Sequence, residues 1–94
     1  LGLVVFDETH QFMVFNDKSE RRKYWVGRLV KSKTKIRVNL FNTLPASMLG
    51  MVIDIKDEKN GSAFTLLVRW ANGDTVPCYQ YDIYSHEGGR CDKV

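Results

Sequence analysis

Hydrophobic and polar side chains alternate along most of this chain, and a period of two marks β-strands with one buried face. The stretch "FTLLVRW", residues 64–70, is the longest example. Phe64, Leu66, Val68 and Trp70 share one face, and Thr65, Leu67 and Arg69 share the other. That pattern predicts Trp70 as a core residue sealing the open end of a small barrel, where strands diverge. "KIRVNLF" alternates as cleanly, with Ile36, Val38 and Leu40 expected inside and Lys35, Arg37 and Asn39 outside. "GLVVF" and "QFMVF", parted by "DETH", read as a hairpin. "YWVGRLVK", "GMVIDIKD" and "DTVPCYQYDIY" supply further strands, and Pro77 makes the last of these an edge or bulged one.

The connections are polar. "NDKSERRK" reads as a loop with room for one helical turn, and "SKT" as a tight connection. Pro45 interrupts "NTLPASML", which has room for a short 3₁₀ or helical turn. Asn72-Gly73 predicts a type I′ turn, with positive φ at both central residues. "SHEGGRCDKV" reads as a loose tail. Six or seven short strands with a turn signal roughly every ten residues predict an all-β small barrel or sandwich. One domain is expected: an N-terminal hairpin extension and basic loop over 1–23, a barrel over 24–84, and the tail from 85.

From Gly50 to Ile83, the runs "GMVIDI", "LLVRWANGD" and "YQYDI" resemble SH3-like small β-barrels of the KOW, Tudor and Mib–Herc2 type. In those families an opening glycine lets the strand bend. A second strand ends in an aromatic before an Asn/Asp-Gly turn, and an aromatic with an acid–apolar pair closes the barrel. The resemblance implies an SH3-like barrel over about a third of the chain. It implies two kinds of function as well: KOW-like members bind nucleic acid or ribosomal partners, and Tudor-like members bind methylated side chains or peptides. Small barrels with such extensions are common in bacteriophage proteins. The first 49 residues resemble no family.

Composition narrows the class. Ninety-four residues make one domain with a thin core, burying roughly 60 to 65% of the unfolded surface. No apolar run approaches the roughly 20 residues that span a bilayer. With only Cys78 and Cys91 to pair, a soluble, intracellular (cytoplasmic) protein is expected. The net charge of +3 hides an asymmetry, because the window from Lys18 to Arg37 carries +8 and the rest of the chain −5. Such a window suits a polyanion. Lys33, Lys35 and Arg37 fall at spacing two, about 6 to 7 Å apart on a strand. Arg21, Arg22 and Lys23 lie on the preceding loop, Lys31 lies between, and Tyr24 and Trp25 adjoin for stacking.

Other chemistry has little footing. His10, Cys78, His86 and Cys91 lack the spacing of a zinc site, so neither metal nor cofactor is expected. No nucleophile elbow or phosphate loop is present, and Asp54, Asp57 and Glu58 cluster where acids are normally solvated, so an enzyme is not expected. Trp70, Tyr79 and Tyr81, with Tyr84 nearby, form a candidate aromatic pocket for a cation or peptide. Two classes therefore stay open. One is a non-enzymatic nucleic-acid-binding protein, duplex DNA favoured, acting through Arg21, Arg22, Lys23, Lys31, Lys33, Lys35 and Arg37. The other is a Tudor-like interaction module for a peptide or an acidic protein partner.

Overall fold

The structure, a computed structural model, describes residues 6–7, 18–57 and 64–86. Strand β1 (Phe6–Asp7) precedes a single helix among these residues, α1 (Lys18–Trp25). Then follow β2 (Leu29–Ser32), β3 (Ile36–Arg37), β4 (Thr43–Leu44), β5 (Leu49–Asp57), β6 (Phe64–Trp70), β7 (Thr75–Cys78), a 3₁₀ turn (Gln80–Asp82) and β8 (Ile83–His86). Six strands form one antiparallel sheet in the order β1-β8-β2-β5-β6-β7, and β3 pairs with β4 apart from it. The domain is mostly β, as expected, and among the described residues neither sheet closes into a barrel.

β6 behaves as its pattern dictates. Phe64, Leu66, Val68 and Trp70 are buried and Arg69 is exposed. They pack with Trp25, Val30, Val52, Val76 and Ile83 on the inner face of the sheet. Trp70 is 2% exposed because its partner across the ladder is Gly50. A Cβ there would lie 2.7 Å from Trp70 Cε3 and 2.7 Å from Val68 Cγ1, so only glycine lets the indole press against the strand. Beyond this point the β5 register shifts between Val52 and Asp54, a bulge that bends the long strand.

The turn after Trp70 differs from expectation. Gly73 has φ of 94°, but Asn72 is not in the positive-φ region. Gly73 N–H donates to Trp70 O at 2.9 Å, and Trp70 N–H donates to Asp74 O at 2.8 Å. This is a three-residue loop, a type I turn followed by a left-handed glycine, rather than the two-residue type I′ turn. The side chain of Asn72 accepts the Asp74 N–H at 2.9 Å, so it stabilises the turn without itself turning left-handed. Pro77 sits on β7, an edge strand, as its missing N–H requires.

The largest departures lie in the basic half. "KSERRKYW" is two turns of helix, not a loop leading into a strand. It has no β-branched residue, and Glu20 in the first turn with Arg22 and Lys23 in the last match the helix dipole. Arg21 and Trp25, four apart, form its buried face. The strand predicted over 35–41 lasts only through Ile36–Arg37. Asn39 Oδ1 accepts N–H groups from Phe41 at 2.8 Å and Asn42 at 2.9 Å, which reverses the chain. Leu40 is therefore 79% exposed instead of buried. The segment after Asn42 holds β4 and a turn with Ser47 at φ 64°, and no helical turn. β8 continues through His86, into the stretch read as tail. The N-terminal hairpin lies outside the described residues except at Phe6 and Asp7, which pair with β8. No helix among the described residues is long and apolar enough to cross a membrane.

Candidate nucleic-acid interface

The basic residues divide into three groups. The first is structural. Arg21 is 8% exposed, with its guanidinium 4.4 Å from the centroid of Phe64. Arg22 Nη1 donates to Asp54 Oδ1 at 2.8 Å. That bond, followed by the Ile55 N–H, holds the Asp54 carboxyl below its usual value. Lys23 is exposed and lies 4.0 Å from Glu20. Arg28, also within the basic window, stacks 3.8 Å over Tyr24 and donates to Tyr24 O at 2.9 Å and His86 O at 2.6 Å. It ties the end of α1 to β8. The 21–23 set therefore does not flank a groove as loop residues; helix formation turns Arg21 into the core and Arg22 onto Asp54.

The second group centres on Tyr84. Lys31 pairs with Tyr84 across the β2–β8 ladder, and its ammonium lies 5.6 Å from the Tyr84 ring centroid and 5.3 Å from that of Phe6. The Lys33 ammonium lies 5.1 Å from the same Tyr84 ring. Lys33 follows the end of β2, where its N–H donates to Asp82 O at 2.8 Å. It is therefore not in one row with Lys35 and Arg37 on a single strand, as the spacing suggested. What the fold brings together is two lysines on one aromatic ring.

The third group is the β3–β4 hairpin. Lys35 and Arg37 are exposed on either side of the buried Ile36. Residues 33 to 45 contain three cations and no acid. Among the described residues, no ion pair involves Lys31, Lys33, Lys35 or Arg37. The hairpin is anchored at its base by Ser32, which is fully buried. Ser32 Oγ donates to Pro45 O at 2.8 Å and accepts the Met48 N–H at 2.9 Å, tying the returning limb to β2.

The aromatic pocket does not assemble. Trp70 is core, whereas Tyr79 and Tyr81 stack on each other, with centroids 5.3 Å apart and planes 8° from parallel. Asp82 fixes this corner by accepting the Tyr79 N–H at 2.9 Å. An apolar cleft of about 350 Å³ opens on the sheet instead, lined by Leu29, Leu49, Met51, Ile53, Ala71 and an edge of Trp70, with Arg69 alongside. Cys78 is buried, and desolvation first, then the Asp82 charge, pushes its thiol up to about 12. No metal-ligand cluster occurs among the described residues, which exclude His10 and Cys91.

Two features escaped the pattern. The sequence pattern groups Tyr84 with the other tyrosines, and only the β2–β8 register reveals its lysines. The exposed Leu40-Phe41 pair was signalled by "NLFN", since asparagines bracketing two residues favour a side-chain-closed turn. No protein-family model matches the chain, and neither a curated protein nor a solved structure matches it.

Proposed function

We propose that this domain is a non-enzymatic nucleic-acid-binding module on an SH3-like scaffold. The strand order supports the scaffold. β2, β5, β6 and β7 form a meander, and β8 returns after a 3₁₀ turn to pair with β2. That is the strand order of an SH3-like barrel, with β3–β4 as an excursion between its first two strands. The observation that carries the function is the placement of Lys31 and Lys33 over Tyr84, continuous in sequence with the acid-free hairpin bearing Lys35 and Arg37. Four cations without acidic partners among the described residues can neutralise phosphates, and a ring among them offers a stacking surface. Phosphate contacts of this kind hold the backbone and carry no base sequence, so binding is sequence-tolerant, with duplex DNA as the reference ligand. The test is anisotropy titration of labelled duplex at low salt. Binding that weakens when Lys31, Lys33, Lys35 and Arg37 become Gln supports the reading; absence of binding by the parent to duplex and single strand alike ends it.

A second reading is favoured by the apolar cleft beside Leu49 and Met51. Contiguous apolar surface of this sort marks sites for peptides and proteins. In that case Met51→Glu abolishes capture of a partner, binding persists in high salt, and the lysine substitutions have no effect.

A further inference from the structure

The tip of the β3–β4 hairpin holds the most exposed large apolar side chains of the described residues. Phe41 is 91% exposed and Leu40 is 79% exposed. Side chains of this kind at a loop tip lose favourable free energy in water, and this loop is not held by packing of the tip itself. It is held from behind. Asn39 Oδ1 takes the N–H groups of Phe41 and Asn42, and Asn42 O takes those of Val38 at 3.0 Å and Asn39 at 3.2 Å. The tip is thus a preformed turn that projects a ring and an isobutyl group outward, with Lys35 and Arg37 exposed on the limb behind it.

We propose that Leu40 and Phe41 form a wedge that stacks on unpaired bases, so that the ligand is nucleic acid with unstacked or easily unstacked bases. This deepens the nucleic-acid reading and rests on it. Three observations favour bases over the other apolar target for a basic loop, a lipid surface. First, Asn39, Asn42 and Thr43 surround the pair and are exposed. The Asn42 amide, the Asn39 amide N–H groups and the Thr43 hydroxyl match base edges, whereas entering a bilayer would dehydrate them without partners. Second, the cations lie on the limb behind the tip, where phosphates run when a base turns toward Phe41. Third, Tyr84 with Lys31 and Lys33 offers a second ring at the hairpin base, as stacking along a strand requires. Phe and Leu are also residues that enter base steps as wedges.

The test uses the whole chain and three probes at low salt: a continuous duplex, the same duplex with an unpaired internal loop, and the single strand. A fluorescent base analogue sits in the loop. The parent should bind the looped and single-stranded probes more tightly than the duplex, and the analogue should change its emission on binding. Phe41→Ala should weaken binding to the unpaired probes by roughly 5- to 150-fold, the range for loss of one base–aromatic stack. It should leave duplex binding and the thermal melt unchanged, because the ring touches solvent. Leu40→Ala should act in the same direction more weakly. Equal affinity for all three probes, unaltered by Phe41→Ala, overturns the wedge while the nucleic-acid reading stands. No binding to any probe defeats that reading itself. Binding to phosphatidylserine vesicles that depends on Phe41, without probe preference, overturns the wedge in favour of lipid.

Discussion

Ser32→Ala tests how the basic hairpin is held to the sheet. The side chain is fully buried and serves two backbone groups, accepting from Met48 N–H at 2.9 Å and donating to Pro45 O at 2.8 Å. Each buried polar group left without its partner costs about 1 to 3 kcal/mol. Pro45 is exposed, so water can serve its carbonyl after the substitution, and Met48 N–H is the main loss. The expected destabilisation is about 2 kcal/mol. For a domain of this size that is a sizeable share of the total stability, and it lowers the melting temperature by about 8 to 16 °C. Differential scanning calorimetry measures it, and amide exchange at Met48 should accelerate more than exchange at Val68 in the core. A shift below about 4 °C with unchanged Met48 exchange would refute the anchor.

Gly50→Ala should destabilise by about 1 to 3 kcal/mol, since the new methyl meets Trp70 and Val68 at 2.7 Å, and chemical denaturation reads the change. A denaturation curve like the parent's would mean that Trp70 does not pack on that backbone. Gly73→Val places a β-branched residue at φ 94° and should cost at least about 1 kcal/mol; an unshifted melt would count against the left-handed turn. Cys78, in a Cys91→Ser background, should resist thiol reagents at mildly alkaline pH. Its folded-state value of about 12 stands above the ordinary 9.0, so the stability it contributes is complete below pH 9.0 and is lost as pH rises toward 12. Rapid labelling of the folded protein would show that the thiol is not buried.

Strands whose residues contact the core on one face only were legible. "FTLLVRW" needed no tertiary information, because its alternation and its packing agree. Elsewhere tertiary or side-chain chemistry overrode the local pattern. "KIRVNLF" alternates throughout, yet one asparagine carbonyl closes the turn and exposes Leu40. "KSERRKYW" has so few apolar residues that its two-residue buried face, Arg21 and Trp25, is invisible without the sheet beneath it. The same limit applies to the site. Charge density marks the window from Lys18 to Arg37, but a sequence does not distinguish Arg21 over Phe64 or Arg22 on Asp54 from Lys35 and Arg37 in solvent. Nor does spacing place Tyr84 beside Lys31, since that contact depends on strands 53 residues apart in the chain.

The nucleic-acid claim stands most directly on the salt dependence of duplex binding. Log K should fall linearly with log salt, by about 0.9 per phosphate neutralised, so Lys31, Lys33, Lys35 and Arg37 together account for a slope of about −3.6. The variant with all four changed to Gln should lose about that much slope and keep the parent's melt. A parent that does not bind at low salt, or a variant with the parent's slope, would contradict the account.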